Sequence, residues 1–132
     1  MSTREIYNAL EVSDTLITGG QPTADQLRDA AAEGFAAVIN LATTNPPHSL
    51  EGEGALVESL GMEYVHIPVD WNNPTDADFV AFEAAVNRLS GEKVLIHCAA
   101  NYRVTAFYSL YGRKYLGWTG EQAAAFRVQI WA

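Results

Sequence analysis

The 132-residue chain contains one cysteine, Cys98, so no disulfide can form within it. Basic residues are scarce. Eight Lys and Arg against 16 Asp and Glu give a formal net charge of −8, which offers no general attraction for nucleic acid or an anionic membrane, although a local positive pocket can coexist with it. No apolar run approaches the ~20 residues of a membrane span, and no amino-terminal segment joins basic residues to an apolar stretch of signal-peptide length. The expected setting is reducing and cytoplasmic, where Cys98 stays a free thiol. His48, His66 and His97 lack ligand spacing and Cys98 has no second thiol to join it, so no metal is expected. No cofactor is expected either, since no glycine-rich nucleotide loop is present. Repeats, linkers and low-complexity tracts are absent. With 48% apolar residues, the chain is read as a single folded domain over 1–132.

What is present centres on Val94-Leu95-Ile96-His97-Cys98-Ala99-Ala100-Asn101-Tyr102-Arg103-Val104-Thr105. The β-branched apolar run predicts a buried strand, and the spacing of Val104, Phe107, Tyr108, Leu110 and Tyr111 predicts a helix starting near Arg103. The loop between them points unpaired N–H groups and the positive end of a helix dipole at one spot. Such a spot attracts anions, and helix position together with Arg103 would favour the thiolate of Cys98. Arg103 presents a planar fork of donors suited to a tetrahedral oxyanion.

Around this centre, a short strand is predicted within 10–18, ending at Gly19-Gly20. Thr23 and Gln26 then form a capping box for a helix through Ala31. Phe35 to Leu41 reads as a buried strand. Thr43 to Leu50, with Pro46-Pro47, must be a loop; His48 there is a solvated histidine or a substrate contact. Glu53 to Leu60 reads as a helix and Met62 to Val69 as a strand. Asp70-Trp71-Asn72-Asn73-Pro74 forms a loop, and Thr75 with Asp78 caps a helix to Leu89 whose core face is Phe79, Phe82, Val86 and Leu89. Thr119 with Gln122 caps a last helix with Phe126 and Ile130 turned inward. Alternating strands and helices predict an α/β domain with a mostly parallel sheet and helices on both faces. Ligands in such sheets sit outside the strand carboxyl ends, where Cys98 and Asp70 both fall.

His97-Cys98 followed by Arg103 resembles the signature of the cysteine-dependent protein tyrosine phosphatases, including the dual-specificity branch. Gly20-Gln21-Pro22, the helix after it and Val38-Ile39-Asn40-Leu41 resemble a related bacterial phosphatase-like family loosely linked with β-lactamase hydrolases. The resemblance runs from about Leu16 to about Tyr115. It implies that the Cys98 thiolate attacks phosphorus, that Arg103 holds two phosphoryl oxygens, and that loop residues Ala99, Ala100, Asn101 and Tyr102 hold the rest. His97 would orient the loop by hydrogen bonds. A thiol phosphatase also needs an acid for the leaving oxygen. Asp70, 28 residues before Cys98, is similar in position to the family's general acid, with Asp76 and Asp78 as rivals better explained by capping. Trp71 is read as a cleft wall or a packing residue.

The loop departs from the family in three ways. Four residues, not five, separate Cys98 from Arg103. The loop glycines are missing, with Asn101-Tyr102 in their place, and Asn tolerates a left-handed backbone better than Tyr. The hydroxyl expected directly after the arginine comes one position late, at Thr105, about 100° further round the helix. These departures make Asn101 the expected substitute donor for phosphate, with Thr105 in a supporting role at most. The leading reading is a phosphomonoesterase acting through a cysteinyl-phosphate on a phosphorylated small molecule or phosphoprotein. A rhodanese-like sulfurtransferase, favoured by the four-residue spacing, and a catalytically impaired phosphate-binding regulatory domain remain as alternatives.

Overall fold

The computed structural model describes residues 3–43, 49–70 and 72–131. His48, Pro46-Pro47 and Trp71 therefore lie outside the described residues. After a short 3-10 turn at Thr3–Glu5, the elements are β1 (Leu10–Ser13), β2 (Leu16–Gly19), α1 (Ala24–Ala32), β3 (Ala37–Asn40), α2 (Glu53–Ser59), β4 (Glu63–His66), α3 (Asp76–Arg88), β5 (Val94–His97), α4 (Tyr102–Tyr115) and α5 (Gly120–Trp131). They build a five-stranded sheet in the order β1-β2-β5-β3-β4, parallel except for β1. The strand preceding the cysteine loop is thus the middle one, and the predicted α/β fold is the one observed.

The predicted single strand before Gly19-Gly20 is in fact a hairpin. Ser13 Oγ accepts the Thr15 N–H at 3.2 Å, a side-chain turn that reverses the chain inside what reads as irregular alternation. The predicted strands 35–41 and 62–69 shorten to β3 and β4, but their ends stay hydrogen-bonded: Leu41 N–H donates to His97 O at 2.8 Å and Val69 N–H to Leu41 O at 2.9 Å. The Thr23/Gln26 and Thr75/Asp78 capping boxes form as predicted, as do the reciprocal bonds between Thr119 and Gln122.

β5 shows how one strand serves two cores. Its side chains alternate with period two, so Leu95 joins Leu27, Ala30, Val38 and Val57 on one face, while Val94, Ile96 and Cys98 join Phe82, Val104, Phe107 and Phe126 on the other. Phe82 is fully buried and meets Phe107 edge-on at 5.5 Å. Burial of one such side chain is worth about 1.5–3 kcal/mol. No helix among the described residues is long and apolar enough to cross a membrane.

Candidate active site

The loop after β5 is tied down by the amino-terminal part of the chain. Cys98 N–H donates to Gly19 O at 3.2 Å and Gln21 N–H to Ala99 O at 2.9 Å, while Asn8 Nδ2 donates to Ala100 O at 3.2 Å. Gly20 has no room for a side chain, because a Cβ there would lie 2.7 Å from Ala99 O and 2.8 Å from the Tyr7 ring. The chain then turns at Asn101, which takes the left-handed conformation with φ 71°, and Tyr102 opens α4 with ordinary helical geometry. Asn101 therefore fills the place of the missing loop glycine.

That role overturns the expectation that Asn101 supplies a donor to phosphate. Its side chain is fully buried, and its amide nitrogen donates to Asn8 O at 2.9 Å and Thr18 Oγ1 at 3.0 Å. Both protons are spent within the fold. Thr105 is likewise engaged, donating to Asn101 O at 2.8 Å and accepting from Trp131 Nε1 at 2.8 Å. Trp131 in turn lies 5.4 Å from the half-exposed Tyr102 ring.

Cys98, Ala99, Ala100, Tyr102 and Arg103 line a small cleft of about 70 Å³, roomy enough for a phosphoryl group since ~10–15 Å³ of such space already admits a water. Cys98 is only 1% exposed at its floor. Among the described residues, no acceptor meets the backbone N–H groups of Ala99, Ala100, Tyr102, Arg103 or Val104. The last three open α4, where the first N–H groups have no partner inside the helix and carry its positive partial charge. Nη1 of Arg103 is buried with no hydrogen-bond partner. Donors without acceptors thus gather around the cleft, as an anion-binding loop requires, while the buried Oδ1 of Asn101 also has no partner.

Behind the loop, His97 and Glu53 form a buried pair. His97 Nε2 lies 2.6 Å from Glu53 Oε2, with side-chain exposures of 0% and 4%, and Nδ1 lies 3.2 Å from Cys98 O. Gln21 Nε2 donates to the other Glu53 oxygen at 2.8 Å. Burial pushes the Glu53 carboxyl up, but the hydrogen bond and charge of His97, the Gln21 bond and the charge of His66 together hold it below the usual carboxylate range. Sequence reasoning saw His97 and missed Glu53, which carries no local signal beyond opening a helix. Gln21 is present in the Gly20-Gln21-Pro22 motif, but its partner 32 residues away is not.

Asp70 is exposed in the loop beyond β4. Its Oδ1 accepts the Asn72 N–H at 2.9 Å, and its carbonyl accepts the Asn73 N–H at 2.9 Å, a local turn that orients the carboxyl. The bonds from Leu41 to His97 and from Val69 to Leu41 set the neighbouring Val69 two strands across from His97, or roughly 10 Å in the sheet direction. Asp70 and the Cys98 loop thus share the carboxyl edge of the sheet. The rival Asp78 is consumed by its capping box. His66 bonds Ala42 O, and no group of three metal-binding side chains occurs among the described residues.

Residues 9–113 match the family model of the "Beta-lactamase hydrolase-like protein, phosphatase-like domain". The Beta-lactamase hydrolase-like protein of Xylella fastidiosa (strain Temecula1) is 30% identical over 104 residues, which cover 76% of this chain but 24% of that relative. The chain thus aligns with about a quarter of the curated relative's length. Among solved structures, a DUF442 protein of Shewanella putrefaciens CN-32, described as a candidate phosphatase, has a TM-score of 0.85 at 36% identity, covering 94% of this chain and 78% of that one. TpbA of P. aeruginosa, crystallised in complex with pTyr, shares the fold with a TM-score of 0.74 at 17% identity, covering 91% of this chain and 71% of its own. A strand-loop-helix cleft lined by a buried cysteine and by an arginine whose buried Nη1 has no partner accords with these likenesses, and the chain belongs to the phosphatase-like domain family of the beta-lactamase hydrolase-like proteins.

Proposed function

We propose that the protein hydrolyses phosphomonoesters through a cysteinyl-phosphate at Cys98. The observation that carries this reading is the buried, unpartnered Nη1 of Arg103, together with loop and helix-start N–H groups that no described residue accepts, around the cleft that Cys98 lines. A buried charged donor without an acceptor is costly to the fold, and a phosphoryl group supplies the missing acceptors. In the first step Cys98 Sγ attacks phosphorus, the S–P bond forms, and the P–O bond to the leaving group breaks as Asp70 gives its proton to that oxygen. In the second, Asp70 takes a proton from water, the water oxygen bonds phosphorus, and the S–P bond breaks to return the thiolate and inorganic phosphate. Arg103 and the amides stabilise the equatorial oxygens throughout, where each well-aimed donor is worth about 2.7–4 kcal/mol.

The phosphotyrosine bound by TpbA supports a phosphorylated small molecule or phosphoprotein as substrate class. The four-residue spacing favours sulfurtransfer, but the family match and the Shewanella structure support the phosphatase reading. The test is release of inorganic phosphate from an aryl phosphate by the full chain and by Cys98→Ser. Turnover by the natural protein and its loss in the serine variant are expected. Undiminished turnover in Cys98→Ser removes the cysteine from the mechanism, and thiosulfate:cyanide transfer without phosphate release selects the sulfurtransferase.

A further inference from the structure

We infer that Glu53 is a positioning residue for the Cys98 loop, holding His97 in its doubly protonated form so that one ring N–H is donated to Glu53 and the other to the carbonyl oxygen of Cys98. Glu53 is 5% exposed and accepts at both oxygens, from Gln21 at 2.8 Å and from His97 at 2.6 Å. A carboxylate accepts only, so Nε2 of His97 must carry a proton. Nδ1 sits 3.2 Å from Cys98 O, and a carbonyl oxygen also only accepts. A neutral imidazole has one N–H and would leave a lone pair facing one of these two oxygens. Opposite an ionised Glu53, both contacts are satisfied only by an imidazolium, whose charge Glu53 balances. Burial raises the Glu53 carboxyl, but the hydrogen bonds from His97 and Gln21 help to hold it below its usual range, which keeps Glu53 the ionised acceptor of the pair.

The pair has work to do at this location. His97 is fully buried and its side chain points to the opposite face of the sheet from Cys98, so it cannot reach a substrate in the cleft. It acts instead on the first carbonyl of the loop and sets a positive charge directly behind the nucleophile. Among the described residues, the charged and titratable groups that bear on the pair are His66 on β4, which acts on Glu53 through its charge, and Tyr64 on β4, which feels the Glu53 charge in return. Gln21 supplies a neutral donor from the loop after β2. An ion pair taken out of water is costly unless its remaining donors and acceptors are met, and here each of the four polar atoms of the pair has a partner. Its catalytic consequence rests on the Cys98 reading above, whereas the protonation of His97 does not.

The experiment is nitrogen-15 NMR of the imidazole groups in the full chain at pH 7, with His48→Gln and His66→Gln assigning the other two histidines. The expected result is two ring protons on His97 in the natural protein. In Glu53→Gln one proton is expected, with shifted amide resonances for Ala99 and Ala100 and at least a tenfold lower kcat on an aryl phosphate at little-changed KM. Gln21→Ala, which removes a neutral donor from the same carboxylate, should leave both protons in place. One ring proton in the natural protein overturns the inference even where Glu53→Gln does not fold. So does an unchanged His97 signature in a folded Glu53→Gln, or equal loss of the second proton in Gln21→Ala. Absence of phosphatase activity in the natural protein refutes the proposed function alone, because the NMR result still decides the state of His97.

Discussion

Replacing Asn101 separates the two jobs that one residue performs in the shortened loop. Asn101→Ala removes hydrogen bonds to Asn8 O and Thr18 Oγ1, each worth about 0.5–1.5 kcal/mol net. It also places a Cβ-bearing residue without a helpful side chain at φ 71°, at roughly 1–2 kcal/mol. The expected loss is about 3 kcal/mol. Asn101→Gly loses the same bonds but has no left-handed penalty, so it should be about 1 kcal/mol more stable than the alanine variant. Asn101→Asp should be the least stable of the three, since it buries a charge and turns an acceptor toward the Asn8 carbonyl. Urea denaturation of the full chain at pH 7 measures all three, with midpoints compared at a common slope. Equal stability of the alanine and glycine variants would show that backbone handedness is not the constraint. A loss below ~0.5 kcal/mol in both would show that the two bonds contribute nothing, and the account of the loop would have to be abandoned.

Three further outcomes are expected. Asp70→Asn should slow turnover of alkyl phosphates far more than that of aryl phosphates with good leaving groups, because only a poor leaving oxygen needs the proton; equal losses on both substrates would dismiss Asp70 as the acid. Inserting glycine between Asn101 and Tyr102 restores the family spacing, yet it should lower activity on an aryl phosphate. It separates the buried Asn101 anchor from the helix that it caps through Thr105 N–H at 3.1 Å, and a higher rate would mean that loop length alone limits the site. Gly112→Ala should destabilise the fold by about 1–3 kcal/mol or more, since a Cβ at Gly112 would lie 2.1 Å from the Trp118 ring; an unchanged urea midpoint would show that the indole moves freely.

Local features of the fold are written in neighbouring residues, and long-range ones are not. Periodicity and end signals are local, so the β5 strand, the three capping threonines and the helix after Cys98 were legible from neighbouring residues alone. The placement of Cys98 and Arg103 around one cleft was legible for the same reason, because a strand, a tight loop and a helix start are consecutive in the chain. The hairpin of β1 and β2 was not, since the Ser13 turn is hidden by the β-bulge between Glu11 and Ser13. The same limit applies to Asn101: its residue type signalled a left-handed turn, but the direction of its amide depended on Asn8 and Thr18, 93 and 83 positions away.

By itself, then, the sequence determined the alternation of strands and helices, the placing of Cys98 and Arg103 at the two ends of one short loop, and a residue between them that tolerates a left-handed backbone. Each follows from side-chain chemistry and spacing within a few residues. Only the tertiary structure decided which face Asn101 would serve, that Thr105 would hold Trp131 and not the cysteine, and that Glu53 would meet His97 across 44 positions. Those outcomes depend on which buried donors and acceptors the packed sheet brings together. A buried polar group must find its partner wherever the fold has placed one.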